Sequence, residues 1–277
     1  MDNAEKIYTG AVYDEAMGHY MVQTDGIAAK NLGDDIYMRV YARTENAIVY
    51  SDVTKYSPRQ YALSRLEKSR NENMKALCVA MLNYGAAAQE YFGYKTEELM
   101  NASLTAQQQA LVSAYSADLF AGAVAADANK IGSFAKTEGF SSKSASVSFE
   151  GAFAINYYFG ASAEVAGDMT FCYWTAADYA KADVLTADNA TGTFAMQKQP
   201  GGAYWAQIDG IAAKELDDTF YVTAVYTDAE GNTHCTGIIA YSVSHYCMNN
   251  ANGAMGDLAQ ATAIYGYHAR AYFGMEG

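Results

Sequence analysis

Two patterns of apolar residues alternate along this chain. Short runs dense in aromatic and β-branched side chains read as strands, and longer runs with apolar residues at three-to-four spacing read as helices. Residues 34–41 and 219–226 belong to the first kind. Each leads into a turn, Thr44-Glu45-Asn46-Ala47 or Asp228-Ala229-Glu230-Gly231-Asn232, and then into a partner run, 48–50 or 236–240. Helical periodicity follows in both places. Met74, Leu77, Cys78, Met81, Leu82, Gly85, Ala88 and Phe92 share one face, as do Leu258, Ala261, Thr262, Gly266, Ala269 and Phe273 further on. Ser57-Pro58-Arg59-Gln60 has the capping serine, first-turn proline and Gln at N3 that start a helix. Leu104-Thr105-Ala106-Gln107-Gln108 starts another, expected to run to about Phe120. Runs at 146–159, 169–174, 193–197 and 203–208 read as further strands.

The parallel between the two places is a repeat. Asp25-Gly26-Ile27-Ala28-Ala29-Lys30 recurs as Asp209-Gly210-Ile211-Ala212-Ala213-Lys214. Leu32, Asp34 and Tyr37 map onto Leu216, Asp218 and Tyr221, and Tyr56-Ser57 onto Tyr241-Ser242. Tyr84-Gly85 and Tyr91-Phe92-Gly93 reappear as Tyr265-Gly266 and Tyr272-Phe273-Gly274. A mid-helix glycine costs about 1 kcal/mol against alanine, so its recurrence predicts close packing of helix on sheet. The repeat divides the chain into units 1–131 and 132–277, joined by the Gly-, Ser- and Lys-rich stretch 132–143. The fold class it implies is α+β: tandem immunoglobulin-like β-sandwich units, each followed by packed α-helices. About six strands precede the helices of the second unit. The strands at 146–159 and 169–174 have no counterpart in the first, where only 8–13 and 18–23 precede the hexapeptide. The first unit is therefore expected to be a reduced sandwich, or one whose leading strands fall before residue 1.

Composition narrows the function classes. Apolar residues make up 51% of the 277 and charged ones 18%, as in a folded globular chain. A net charge of −13 opposes phosphate backbones and anionic lipid surfaces, which excludes nucleic-acid partners. No apolar run is long enough to span a bilayer, so no membrane insertion is expected. The polar start Met1-Asp2-Asn3 is not read as a signal peptide. Cys78, Cys172, Cys235 and Cys247 lack the spacing of a disulfide or zinc framework, and Cys78 on its apolar stripe reads as a buried free thiol. His19, His234, His245 and His268 form no metal-ligand cluster, and no nucleophile elbow, dinucleotide or phosphate-loop motif occurs. No catalytic residue, metal or cofactor is therefore expected, and the chain is read as non-enzymatic, although a loop carboxylate cluster leaves calcium open.

The remaining candidate is Phe171-Cys172-Tyr173-Trp174 and the loop after it. Strand alternation puts Phe171 and Tyr173 on one face and Cys172 and Trp174 on the other. Trp174, Tyr179, Asp178 and Lys181 supply aromatic faces, a carboxylate and an ammonium, and Tyr204-Trp205 add a second aromatic pair. Sugar rings call for this mixture, a flat π face for C–H groups and charged or amide groups for hydroxyls. Either tryptophan could instead be the core tryptophan of a sandwich. Trp174 and its loop occur only in the second unit, so function is sought where the repeat breaks.

Tyr173-Trp174-Thr175-Ala176-Ala177-Asp178-Tyr179, the Gly-Ile-Ala-Ala-Lys blocks and Asn83-Tyr84-Gly85-Ala86-Ala87-Ala88-Gln89 carry a resemblance over nearly the whole chain. They resemble a repeat module of secreted, often dockerin-bearing proteins of gut Clostridia and ruminococci. Within that group the chain is most similar to the glycan-binding proteins of the starch adherence system, non-catalytic parts of the amylosome. The resemblance implies a secreted, cell-surface-associated protein that binds α-1,4-glucan as starch or maltooligosaccharides. It also implies attachment to a cell-surface scaffold through regions outside this chain. A structural or adhesive module with a protein ligand is the alternative.

Overall fold

The computed structural model describes residues 7, 11–23, 26–149, 151–161 and 169–275. Asp25 of the repeated hexapeptide and the start of the expected strand at Tyr8 lie outside them. In the first copy the apolar runs form six three-residue strands: β1 (Val12–Asp14), β2 (His19–Met21), β3 (Ile36–Met38), β4 (Tyr41–Arg43), β5 (Ile48–Tyr50) and β6 (Thr54–Tyr56). They pair antiparallel as β1–β2, β3–β6 and β4–β5. Helices α1 (Pro58–Lys68) and α2 (Glu72–Phe92) follow. Ser57 caps α1 by accepting a hydrogen bond from the Gln60 amide, and Asn71 caps α2 through Met74.

The helix expected from Thr105 to about Phe120 is a single turn, α3 (Ala106–Gln109). Its Thr105–Gln108 capping box is present, but Ser113 and Ser116 next favour local turns over helix. The connection placed at 132–143 is also shorter than expected, because β7 (Phe140–Ser148) already begins within it. β7 and β8 (Phe153–Ala161) form a hairpin where one strand was expected. Strands β9 (Thr170–Trp174), β10 (Gly192–Ala195), β11 (Gln197–Lys198), β12 (Tyr204–Ile211), β13 (Phe220–Thr227), β14 (Thr233–Cys235) and β15 (Ile239–Tyr241) follow, more than the six expected. Helix α4 (Ala176–Lys181) is inserted after β9, and α5 (Val243–Asn250) and α6 (Gly256–Phe273) close the copy.

The architecture is mixed helix and strand with several antiparallel sheets. The second copy has two larger ones, β11–β12–β8–β7 and β10–β9–β13–β14, with β15 also on β13. They pack face to face. Phe171 of β9 meets Tyr157 and Phe159 of β8 at ring-centre distances of 5.4 and 6.2 Å. Those rings, with Ile155, Val222 and Ala224, are removed from solvent. Each buried side chain of this size stabilises by about 1.5–3 kcal/mol.

Both copies build the same framework. Ile36↔Tyr56 to Met38↔Thr54 repeats as Phe220↔Tyr241 to Val222↔Ile239. Tyr41↔Tyr50 to Arg43↔Ile48 repeats as Val225↔Cys235 to Thr227↔Thr233. Between these pairs, Ser51 Oγ accepts from the Val40 amide as Thr236 Oγ1 accepts from that of Ala224. The Arg59 amide donates to Leu32 O and the Ser244 amide to Leu216 O, both at 2.9 Å. The recurring helix glycines pack on the hexapeptide turn, not on a sheet as expected. A Cβ at Gly85 would lie 3.4 Å from Ala29 O, and one at Gly266 would lie 3.2 Å from Ala213 O. The helices then meet through equivalent residues: Tyr84 of α2 stacks on Tyr265 of α6, centres 5.3 Å apart and planes at 12°. The copies thus share a core through a pseudo-twofold contact.

Candidate functional site

The Phe171–Trp174 strand alternates as expected, but both its faces are covered. Phe171 and Tyr173 point into the sandwich, while Cys172 and Trp174 enter a second, smaller core. Trp174 has no exposed surface there. Its ring meets Phe134 edge-on at 5.3 Å, and Nε1 donates to Asn189 Oδ1 at 3.0 Å. That hydrogen bond satisfies the indole of a core tryptophan. Tyr179 is buried beside it, stacked on Tyr221 at 3.6 Å and 10°. The Tyr179 hydroxyl accepts from the Asp127 amide, and Lys130 sits 4.9 Å from its ring centre.

Asp178 belongs to the start of α4. Thr175 caps the helix by accepting from the Asp178 amide. The Asp178 carboxylate accepts from Thr191 Oγ1, from Lys181 Nζ and from Thr175 Oγ1. These hydrogen bonds, Thr191 foremost and Lys181 next, hold its pKa down at about 2. The Asp178 oxygens are thus engaged in fastening α4 to the strand after it. Lys181 is exposed and paired with Asp178 at 2.9 Å.

Tyr204 and Trp205 part company on β12. Tyr204 faces the sandwich interior, with Lys198 Nζ 5.7 Å from its ring centre. Trp205 alternates to the outer face of the four-stranded sheet. The six candidates therefore do not converge. Trp174 and Tyr179 lie beyond one sheet and Trp205 beyond the other, with the sandwich core between.

Trp205 has neighbours that the sequence reading did not single out. Register places it opposite Tyr158 of β8 on one side and Gln197 of β11 on the other. Tyr158 in turn faces Ser144 of β7. The next row on the same face is Gln207, Asn156 and Ser146. Asn156 is the hub: its Oδ1 accepts from Trp205 Nε1 at 3.2 Å and from Gln207 Nε2 at 2.9 Å. Its Nδ2 donates to Ser148 Oγ at 2.9 Å. A buried amide with three bonds fixes the indole orientation. One signal was available in the sequence, since Asn156 interrupts an otherwise apolar and aromatic strand.

Two residues beyond Tyr158, Gly160 continues this face. A depression of about 460 Å³ opens at that end, lined by Lys136, Glu138, Ser141, Lys143 and Gly160 among others. A Cβ at Gly160 would meet the flexible end of Lys143, which would have to shift. The outer sheet face thus runs from a polar row of amides and serines, across Trp205 and Tyr158, to a shallow basin bearing two lysines and a glutamate. Flat aromatics bordered by fixed amides and hydroxyls can hold a polyhydroxylated ring by C–H contact and hydrogen bonding.

Other chemistry-bearing groups serve the scaffold. Burial raises the thiol pKa of Cys78, Cys172 and Cys235 to about 11 and that of Cys247 to about 12. A protonated, buried thiol is a poor nucleophile. Asp228 pairs with His234 Nε2 at 2.9 Å and also accepts from Asn232, which pins the β13–β14 turn. Asp34 accepts from Tyr94 and Lys95, and Asp218 pairs with Arg270, so these acids tie each hexapeptide turn to the end of its helix. Among the described residues, no cluster of three or more His, Cys, Asp or Glu side chains is placed to hold a metal. No described helix is long and apolar enough to cross a membrane.

No family model, curated protein or solved structure matches this chain.

Proposed function

We propose that the chain is a non-catalytic extracellular carbohydrate-binding protein for α-1,4-glucan, taken as starch or maltooligosaccharides. Its glycan would lie on the outer face of the β11–β12–β8–β7 sheet. The observation that carries this reading is Trp205 opposite Tyr158, with Asn156 fixing the indole and Gln207, Gln197 and Ser144 around the pair. Directly opposed cross-strand residues have Cβ atoms about 5 Å apart. The two rings therefore make one patch, not a long row, and suit a short stretch of glucose units. The choice of α-glucan rests on the resemblance to starch adherence proteins. In fold, we read the second copy as an immunoglobulin-like sandwich and the first as a reduced version of the same unit in tandem. The paired antiparallel sheets of the second copy support that reading.

Migration in amylopectin gels tests the glycan. Retardation is expected, with heat released on titrating maltoheptaose and no reducing sugar formed from starch. Trp205→Ala and Tyr158→Ala should each abolish retardation while keeping a cooperative melting transition. Unretarded wild-type protein that gives no heat would reject the reading. A structural or adhesive surface module with a protein ligand is favoured by one separate observation, the solvent-exposed apolar strands of the first copy.

A further inference from the structure

Along β8 the outer face of the four-stranded sheet carries Asn156, Tyr158 and then Gly160, about 6.6 Å beyond Tyr158. Gly160 is the one glycine in a strand otherwise dense in aromatic and apolar side chains. A glycine there weakens the strand and goes with a bulge or a close approach. Both are present. The β7–β8 register shifts between Ser142 and Ser144, which takes Lys143 out of the regular ladder. Its side chain then lies over Gly160, where a Cβ would stand 3.1 Å from Lys143 Nζ and 3.2 Å from Cδ. The ammonium is thereby held on the sheet face in the row next to Tyr158. With Lys136 and Glu138 it rims the basin of about 460 Å³, a volume within the range of small-ligand sites.

The three rim charges are exposed, and among the described residues none of their side chains has a hydrogen-bond or ion-pair partner. That is unusual for the lysines of this chain, where acidic residues outnumber basic ones by 31 to 18. Lys55, Lys75, Lys95 and Lys181 each have a carboxylate partner. Two ammonium donors and one carboxylate acceptor over a glycine floor suit a ligand that offers hydroxyls, which both donate and accept. An anion would meet Glu138 and the net charge of −13.

We infer that the basin is a second sugar subsite, continuous with the Trp205–Tyr158 patch. Lys143 and Lys136 donate to the hydroxyls of the next sugar unit, and Glu138 accepts from them. This inference rests on the glycan reading and sharpens it: the patch holds ring faces, the basin holds hydroxyls, and a neutral oligosaccharide spans both.

Acetylation of the full chain, read lysine by lysine by mass spectrometry, tests the subsite. With maltoheptaose at about ten times its Kd, acetylation of Lys143 should slow about tenfold, because only free sites react. Exposed Lys181 on α4 should be unaffected. Trp205→Ala should remove the protection of Lys143. Loss of a hydrogen bond to a charged group weakens binding by about tenfold, so Lys143→Ala should lower maltoheptaose affinity by that factor. Gly160→Val, which fills the floor with a strand-forming side chain, should lower it at least as far. Unslowed acetylation of Lys143, full affinity in both variants, or protection that survives Trp205→Ala would overturn the subsite while parent binding keeps the aromatic patch standing. No heat from the parent with maltoheptaose would instead reject the glycan reading, and the subsite with it.

Discussion

Strand β13 and its first-copy equivalent, β3 with β4, share register, flanking partners and the hydroxyl bond to the strand centre, yet one is closed in and the other is open to solvent. Hydrogen-bonded pairing and turn chemistry are local, and they recur wherever the repeat recurs. Burial is not local: β7, β8 and β9 cover β13, and among the described residues no strand covers β3 and β4 in that way. A repeated sequence block therefore specifies a framework, while its surroundings decide how much that framework contributes to stability.

Truncating equivalent aromatics should separate the copies most widely. Tyr221→Ala removes a buried ring of the second core that stacks on Tyr179 and should cost about 3–5 kcal/mol. Tyr37→Ala, at the same place in the first copy, should stay within about 0.5 kcal/mol. Urea midpoints of the two variants measure the contrast, and equal losses would break it. Trp174→Ala should belong with Tyr221→Ala, for the same reason.

The helix glycines offer a subtler contrast. At Gly266 a Cβ would meet Leu216 Cδ1 at 2.9 Å and Ala213 O at 3.2 Å, the second being fixed backbone. Overpacking of about 1–3 kcal/mol then outweighs the gain of about 1 kcal/mol in helix propensity. At Gly85 the nearest obstacle is the flexible Met100 side chain, with Ala29 O further away at 3.4 Å. Gly266→Ala should therefore lower the thermal midpoint more than Gly85→Ala. The capping serines should instead behave alike, since Ser57 and Ser242 are both buried and both accept from the amide three residues on. Either change to Ala should cost about 1 kcal/mol. A large difference would show that the helix starts are not equivalent after all.

The smallest expected effect concerns His268, which aligns with Ala87 of the first copy. Burial lowers its pKa, and its Nε2 accepts from the Ser113 amide. A histidine with a depressed folded pKa stabilises above its unfolded pKa of about 6.5, and that contribution is lost as pH falls toward the folded value. His268→Gln should flatten the decline of stability below about pH 6.5. Denaturant midpoints between neutral and mildly acid pH, compared with the parent, provide the check.

Much of the framework was legible in the sequence because it is local. The hexapeptide turn, the Ser-Pro helix start, the glycine pair and the strand alternation at Phe171–Trp174 all show in the order of residues. What did not show was nonlocal. Trp174 and Trp205 look alike as strand aromatics, and only the covering segment that carries Phe134 makes Trp174 a core residue. The face around Trp205 depends on which strands lie beside β12, and pairing with β8 across 49 residues of chain brings Asn156 to its indole. The break between β7 and β8 was missed for a related reason: Phe149 and Phe153 stand close enough in sequence to read as parts of one strand.

The contrast between the copies is measured most directly by amide exchange of the unmodified chain, resolved to residues 36–43 and 220–227. Exchange over 220–227 is expected to approach the rate of global unfolding, with 36–43 exchanging orders of magnitude faster through local opening. Equal and strong protection in both segments, in a monomeric sample, would contradict a first copy left uncovered.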